Sequence, residues 1–150
     1  MCKIGILSDT HGLIRPEVVD ALNGCDSIIH AGDIDRSEVI EALREIAPVY
    51  AVQGNADKDE WADDLPKSLS ITLNGIRIYA IHNKKHIAED LSDKDVVIYG
   101  HTHKYHKEYK NGQLSSLTFT SSQAANCCND HQIYHGQDYI ETDIYLQKAV

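Results

Sequence analysis

Gly100-His101-Thr102-His103 sets two imidazoles two positions apart, and Asp9-Thr10-His11 does the same with a carboxylate and an imidazole. Residues two apart on an extended segment project to one side, so each pair can converge on a single target. Imidazole nitrogens and carboxylate oxygens together form a ligand set for divalent first-row metals. Three further residues of this kind follow apolar runs: Asp33 after Gly32, Asn55 after Gly54, and His82 after Ile76 to Ile81. Three oxygen ligands and four imidazoles exceed what one small cation takes. They suit two cations sharing a carboxylate, the arrangement used for in-line phosphoryl displacement with the ions about 3.5–4 Å apart. A mixed nitrogen and oxygen set without thiolate points to Mn, Fe, Ni, Co or Zn, and away from Ca or a structural zinc site.

These residues need elements that bring them together. Lys3 to Ser8, Ser27 to His30 and Val49 to Val52 read as short buried strands. Between them, Pro16 opens a helical pattern stopped at Gly24, and Ser37 is positioned to cap a second helix carrying Val39, Ile40, Leu43 and Ile46. Strand–helix alternation predicts parallel strands with crossover helices, and ligands in such sheets bind beyond the carboxyl ends of the strands. The pattern then changes. Asn74-Gly75 predicts a hairpin between Ser68–Leu73 and Ile76–His82. A helix is expected from Lys84 to Leu91, then a strand from Val96 to Tyr99, then a second hairpin around Asn111-Gly112. Five strand ends would each offer an Asp, Asn or His.

The ordered set Asp-x-His, Gly-Asp, Gly-Asn, His and Gly-His-Thr-His resembles the calcineurin-like metallophosphoesterase superfamily. It is most similar to its small bacterial single-domain phosphodiesterases, whose pattern reads SDTHG, HAGD, GNCD, HG and GHTH. The resemblance covers about residues 3 to 120. It implies an α/β fold, a four-layer α-β-β-α sandwich of two mixed sheets flanked by helices. It also implies that Asp9, His11 and His103 hold one divalent metal ion, that Asn55, His82 and His101 hold a second, and that Asp33 bridges them. Mn is the expected metal, with Ni, Fe, Co and Zn as alternatives. Asp33, Asn55, His82 and His101 would carry the catalysis, with a hydroxide between the ions as nucleophile. The implied activity is hydrolysis of a small organic phosphodiester. Two alternatives stand beside it: a non-catalytic or weakly active interaction scaffold like the retromer's metallophosphoesterase-fold subunit, and a phosphomonoesterase or dinucleoside-polyphosphate hydrolase.

Three departures mark this chain. Ala56 replaces the family's Cys, or the catalytic His of larger members, so position 56 supplies no general acid. Asn83 replaces the Gly after His82. The family's Asn-Pro-Gly-Ser turn is absent, and residues 121 to 150 form a divergent tail in which Ile140 to Leu146 suggests an edge strand. Cys127, Cys128, His131 and His135 lie in that tail. Adjacent cysteines lack the spacing that lets both sulfurs reach one zinc ion, which disfavours a metal site there.

The remaining composition narrows the classes. The 150 residues are 42% hydrophobic and 25% charged, with a formal net charge of −9, and read as one domain. That charge offers no groove for nucleic acid, which needs clustered Lys and Arg. No apolar run approaches the roughly 20 residues that cross a bilayer. Polar residues at the start and four cysteines without a disulfide pattern lead us to expect no signal peptide and a cytoplasmic protein, with a homo-oligomer permitted. His30 reads as a buried hydrogen-bonding residue, His86 and His106 as exposed bystanders, Asp57 to Asp64 as a solvated connector, and Trp61 as a packing anchor or a lip over the site.

Overall fold

The computed structural model describes residues 3–88 and 90–102, and, by backbone alone, 106–110, 113–118, 133–134 and 140–141. Two five-stranded mixed sheets face each other. The first contains β1 (Ile4–Leu7), β2 (Ser27–His30), β3 (Val49–Ala51), β9 (Ile133–Tyr134) and β10 (Ile140–Glu141), in the order β3-β2-β1-β10-β9. The second contains β4 (Ser68–Leu73), β5 (Ile76–Ile81), β6 (Val96–Tyr99), β7 (His106–Lys110) and β8 (Gln113–Thr118), in the order β4-β5-β6-β8-β7. Strands β3, β2 and β1 are parallel, as are β5, β6 and β8. The α/β fold of two mixed sheets is the one the sequence led us to expect.

Alternation along the strands builds the layers. Ile4 and Ile6 of β1 and Ile29 of β2 point inward to meet Ile76, Ile78, Ala80, Val96 and Ile98 from the opposite sheet. Leu7 and Ile28 point outward and pack beneath α1 (Pro16–Leu22) and α2 (Ser37–Arg44), through Val18, Leu22, Val39 and Leu43. Each of these fully buried aliphatic side chains contributes about 1.5–3 kcal/mol. On the outer face of the second sheet, Tyr79, Ile81 and Tyr99 are covered by Ile87 and Leu91. Here the expected helix from Lys84 to Leu91 is a single 3-10 turn, Lys84–His86, followed by extended chain.

Local chemistry explains the boundaries. Pro16 occupies the first turn of α1, where its missing N–H costs nothing. Ser37 does not cap α2: Arg36 takes the capping position, without a side-chain hydrogen bond. Asn74 and Gly75, both at positive φ (50° and 81°), form the expected tight turn between β4 and β5. In the tail, β10 pairs antiparallel with β1 on one side and, on the other, with β9 at the sheet edge. Residues 142–146 of the expected strand lie outside the described residues, as do Cys127, Cys128, His131 and His135.

Candidate metal centre

Four loops at the carboxyl ends of β1, β2, β3 and β6 meet the end of β5, and backbone hydrogen bonds join them. The loop after β1 runs along the loop after β2, with Asp9, His11 and Gly12 N–H donating to Gly32, Asp33 and Ile34 carbonyls at 2.9, 3.0 and 2.8 Å. His101 N–H reaches Asp9 Oδ2 at 3.3 Å, and Gly100 N–H donates to the His82 carbonyl at 3.0 Å. Asp9, His11, Asp33 and His101 all sit at positive φ, between 46° and 70°. Such backbone strain costs about 1–3 kcal/mol per residue and persists only where the surroundings enforce it.

Glycines make the approach close enough. A Cβ on Gly54 would collide with the Asp33 backbone and carboxylate, and one on Gly100 with the Ser8 hydroxyl and the Asp9 carboxylate. A Cβ on Gly32 would lie 2.8 Å from His82 Nδ1.

Six of the seven expected ligands converge. Asp9, His11 and Asp33 present one ligand atom each within 4.8 Å of one another, and so do Asp33, His82 and His101. Asp33 belongs to both groups. Asn55 Oδ1 lies 3.0 Å from His82 Nε2 and 2.9 Å from His101 Nδ1, which places its amide oxygen in the second group. His82 Nε2 is 3.3 Å from Asp33 Oδ2, and His11 Nε2 is 4.0 Å from the same oxygen. His103 lies outside the described residues. The donor set is anionic and neutral oxygens with imidazoles, gathered at two points that share a carboxylate, and it fits divalent cations. Asn55 and His101 are exposed, while Asp9, Asp33 and His82 are buried, so the site opens on one side.

The residues behind the ligands orient them. His82 Nδ1–H donates to the Ala31 carbonyl at 2.8 Å, which turns Nε2 toward Asp33 and Asn55. His11 Nδ1 pairs with Asp35 Oδ2 at 3.1 Å, leaving Nε2 facing Asp33. Ser8 Oγ donates to Asp9 Oδ2 at 2.5 Å. His30 is fully buried. It accepts from Gly32 N–H at Nδ1 (3.1 Å) and, at Nε2, donates to the Thr10 hydroxyl (3.0 Å). This is the buried hydrogen-bonding role expected of it.

Titration follows from these surroundings. Burial by itself would raise the Asp33 pKa, but the His82 hydrogen bond, the Ala56 N–H and the nearby His82 and His11 charges hold it below the usual carboxylate value. Burial would lower His82, yet the hydrogen bond and charge of Asp33, with the Ala31 carbonyl and Asp9, raise it above the ordinary imidazole value. Burial, then the His82 charge, push His30 down to about 3.

Asp57 overturns one expectation. It opens the acidic run read as a solvated connector, yet it is only 3% exposed. Its Oδ1 accepts the N–H groups of Ile34 and Asp35, both at 2.8 Å, and its Oδ2 those of Asp33 and Gly54, at 3.0 and 2.7 Å. One carboxylate thus ties the loop of Asp33 to the loop of Asn55. The signal was its place in Gly-Asn-x-Asp, three positions after Gly54. Lys58, Asp59, Glu60, Asp63 and Asp64 are exposed as expected. Trp61 packs against the core beneath the helices, which makes it an anchor.

Residues 2–119 match the calcineurin-like phosphoesterase superfamily domain. The chain belongs to this superfamily. A probable metallophosphoesterase of Methanothermobacter thermautotrophicus is 34% identical over 114 residues, 67% of this chain and 66% of its own length. The chain therefore spans just under two thirds of that relative. A phosphodiesterase of Methanocaldococcus jannaschii is 30% identical over 122 residues, 67% of this chain and 73% of its own. In fold, the chain is similar to vacuolar protein sorting 29 of Cryptosporidium parvum. That match has a TM-score of 0.66 at 21% identity and covers 83% of this chain and 77% of that one. As a member of the calcineurin-like phosphoesterase superfamily, the chain carries candidate ligand groups for the divalent metals its family binds.

A cavity of about 570 Å³ opens beside the second ligand group. Asn55, His82 and His101 form one end, and Lys67, Tyr79 and His86 lie along its walls. His86 is exposed, as expected, and lines this space. No helix among the described residues is long and apolar enough to cross a membrane.

Proposed function

We propose that this chain is a metal-dependent phosphodiesterase that hydrolyses a small organic phosphodiester at a two-metal centre. The single observation that carries the reading is the shared Asp33: two ligand groups, each within 4.8 Å, have this carboxylate in common. Divalent ions bound there would supply Lewis acidity and a water acidified for attack at phosphorus. Asp9, His11 and His103 are assigned to one ion, Asn55, His82 and His101 to the other, with Mn as the preferred metal. The protein's own part is to hold these groups in strained, hydrogen-bonded loops so that little reorganisation is needed on binding. Asn55 is exposed, so its amide N–H groups can also donate to a phosphate oxygen while Oδ1 faces the two imidazoles.

Ala56 brings no proton donor to the leaving group, which favours diesters with acidic leaving groups. The six expected ligands that lie among the described residues favour the enzyme over a scaffold, as does the phosphodiesterase among the relatives.

The test is a panel of p-nitrophenyl phosphodiesters and monoesters, each assayed with Mn, Ni, Co, Zn and Mg. We expect diester hydrolysis stimulated most by Mn, weaker monoester turnover, and loss of at least about 100-fold in His101→Ala and Asp33→Asn, whose groups would act on the reacting phosphate through the ions. Activity that survives both substitutions would dismiss the reading.

A further inference from the structure

The cavity beside Asn55, His82 and His101 is larger than a phosphate group needs, and its volume of about 570 Å³ suits a small-molecule ligand. Resting on the phosphodiesterase reading, we propose that this cavity is a subsite for the organic arm of the substrate, and that the arm carries a second negative charge, which Lys67 and His86 recognise.

The register of the second sheet places Lys67. Ser68 of β4 pairs with Ile81 of β5, so Lys67, one residue earlier on an antiparallel neighbour, stands abreast of His82. The preceding residue is tied to the β3 loop, since Gln53 N–H donates to the Pro66 carbonyl at 2.8 Å. Lys67 is thus fixed at its backbone beside both His82 and the Gly54-Asn55 loop, with its ammonium group on an exposed side chain. His86 approaches from the other side. The 3-10 turn after Asn83 carries it, with His86 N–H donating to the Asn83 carbonyl at 3.0 Å.

Charge distribution supplies the second argument. The chain holds 23 acidic against 14 basic residues, yet no carboxylate lines this cavity among the described residues. Its polar walls are Gln53, Lys67, Ser68, Asn83 and His86, rich in donors, and Tyr79 adds an aromatic surface. Lys84 and Lys85 share the turn with His86. Lys84 is engaged over the Tyr99 ring, 5.4 Å from its centroid, which leaves Lys67 as the cationic group of the wall, with the His86 ring beside it as a hydrogen-bonding group. In a protein of net charge −9, a concavity lined by an ammonium group and by no carboxylate favours an anionic arm over a cationic one. A phosphodiester bound at the ligand corner would bring its arm against Lys67, which stands abreast of His82.

The experiment compares p-nitrophenyl phosphodiesters of the Mn-loaded protein in which only the second arm changes: ethyl, 2-carboxyethyl, 2-phosphoethyl and choline. The carboxylate and phosphate arms should lower KM about tenfold relative to ethyl, the effect of one charge-assisted hydrogen bond, and choline should raise it. The ratio of the two anionic arms identifies which anion the site prefers. In Lys67→Gln the anionic-to-ethyl ratio should fall to within about threefold, and in Lys67→Glu it should invert in favour of choline. Calorimetry with methyl(propyl)phosphinate and methyl(2-carboxyethyl)phosphinate, whose arms are both joined by P–C bonds and leave no ester to cleave, reads the same preference without turnover. Equal KM values across the arms, or a preference unchanged in Lys67→Gln, would overturn the subsite and leave the phosphodiesterase reading intact. Failure to hydrolyse any diester, with the phosphinate preference retained, would remove that reading and keep the subsite.

Discussion

The carboxylate of Asp57 accepts the backbone N–H of Asp33 at 3.0 Å, and with its other bonds it also holds Ile34, Asp35 and Gly54. Hydrogen bonds to a charged acceptor contribute about 1.5–3 kcal/mol each, and a buried donor left unpaired costs about 1–3 kcal/mol. Asp57→Asn replaces one acceptor oxygen with a donor facing two N–H groups. We expect it to lower stability by roughly 3 kcal/mol and to weaken metal binding more than tenfold. Chemical denaturation paired with a metal titration checks both numbers. Unchanged metal affinity in a folded Asp57→Asn protein would show that the loops hold themselves.

Gly54 is confined in a different way, because any Cβ there runs into Asp33. Gly54→Ala should cost about 1–3 kcal/mol from overpacking and displace Asp33 from both ligand groups. Gly24 is the control: its φ is +79° but nothing lies within 4 Å of the added Cβ. Gly24→Ala should therefore lower stability by only about 1 kcal/mol and leave metal binding intact. Similar metal affinities in the two variants would contradict the close approach seen at Gly54.

His82 gains its proton in the metal-free site, since Asp33 and the Ala31 carbonyl outweigh burial and raise its pKa. The stability this gives is full below the unfolded value of 6.5 and fades as pH rises through the higher folded value. A cation needs the neutral Nε2, so binding must release that proton. Metal affinity should rise with pH through this range, and calorimetry in buffers of different ionisation enthalpy should detect proton release. A pH-independent affinity with no released proton would refute the assignment of His82 as a ligand.

His30 makes the opposite contribution. Burial and the His82 charge hold it down to about 3, against 6.5 unfolded, so the unfolded chain binds the extra proton between these values. Stability attributable to neutral His30 is present above pH 6.5 and falls by about 1.4 kcal/mol per pH unit as pH drops toward 3. His30→Gln keeps polar atoms near Thr10 and Gly32 but cannot titrate. Its unfolding free energy should depend less steeply on pH across that window than the parent's. Parallel curves would show that other groups carry the acid sensitivity.

Much of this organisation is legible in the sequence. Ser27–His30 and Val96–Tyr99 are strands with the expected bounds, and Asn74-Gly75 turns as its chemistry requires. Asp9 and His11 converge with Asp33 as expected, but they do so from left-handed backbone at φ 57° and 46°, not from an extended segment. What escaped was long-range or context-dependent. Asp57 is embedded in an acidic run, and only the loops brought around it show that it is buried. β10 pairs over two residues between β1 and β9, too short a contact to leave a pattern in the sequence. Lys84 to Leu91 carries helix-forming residues, yet only Lys84–His86 forms a 3-10 turn, and Ile87 and Leu91 cover the second sheet from beyond it.

The central claim is that two cation positions share Asp33. The most direct measurement is the number of Mn ions retained per chain after equilibrium dialysis, in the parent protein and in His11→Ala and His101→Ala. Two ions per chain are expected in the parent and about one in each variant, because each substitution removes a ligand from one group while the other stays intact. A single ion in the parent, or two ions retained in both His11→Ala and His101→Ala, would contradict the account.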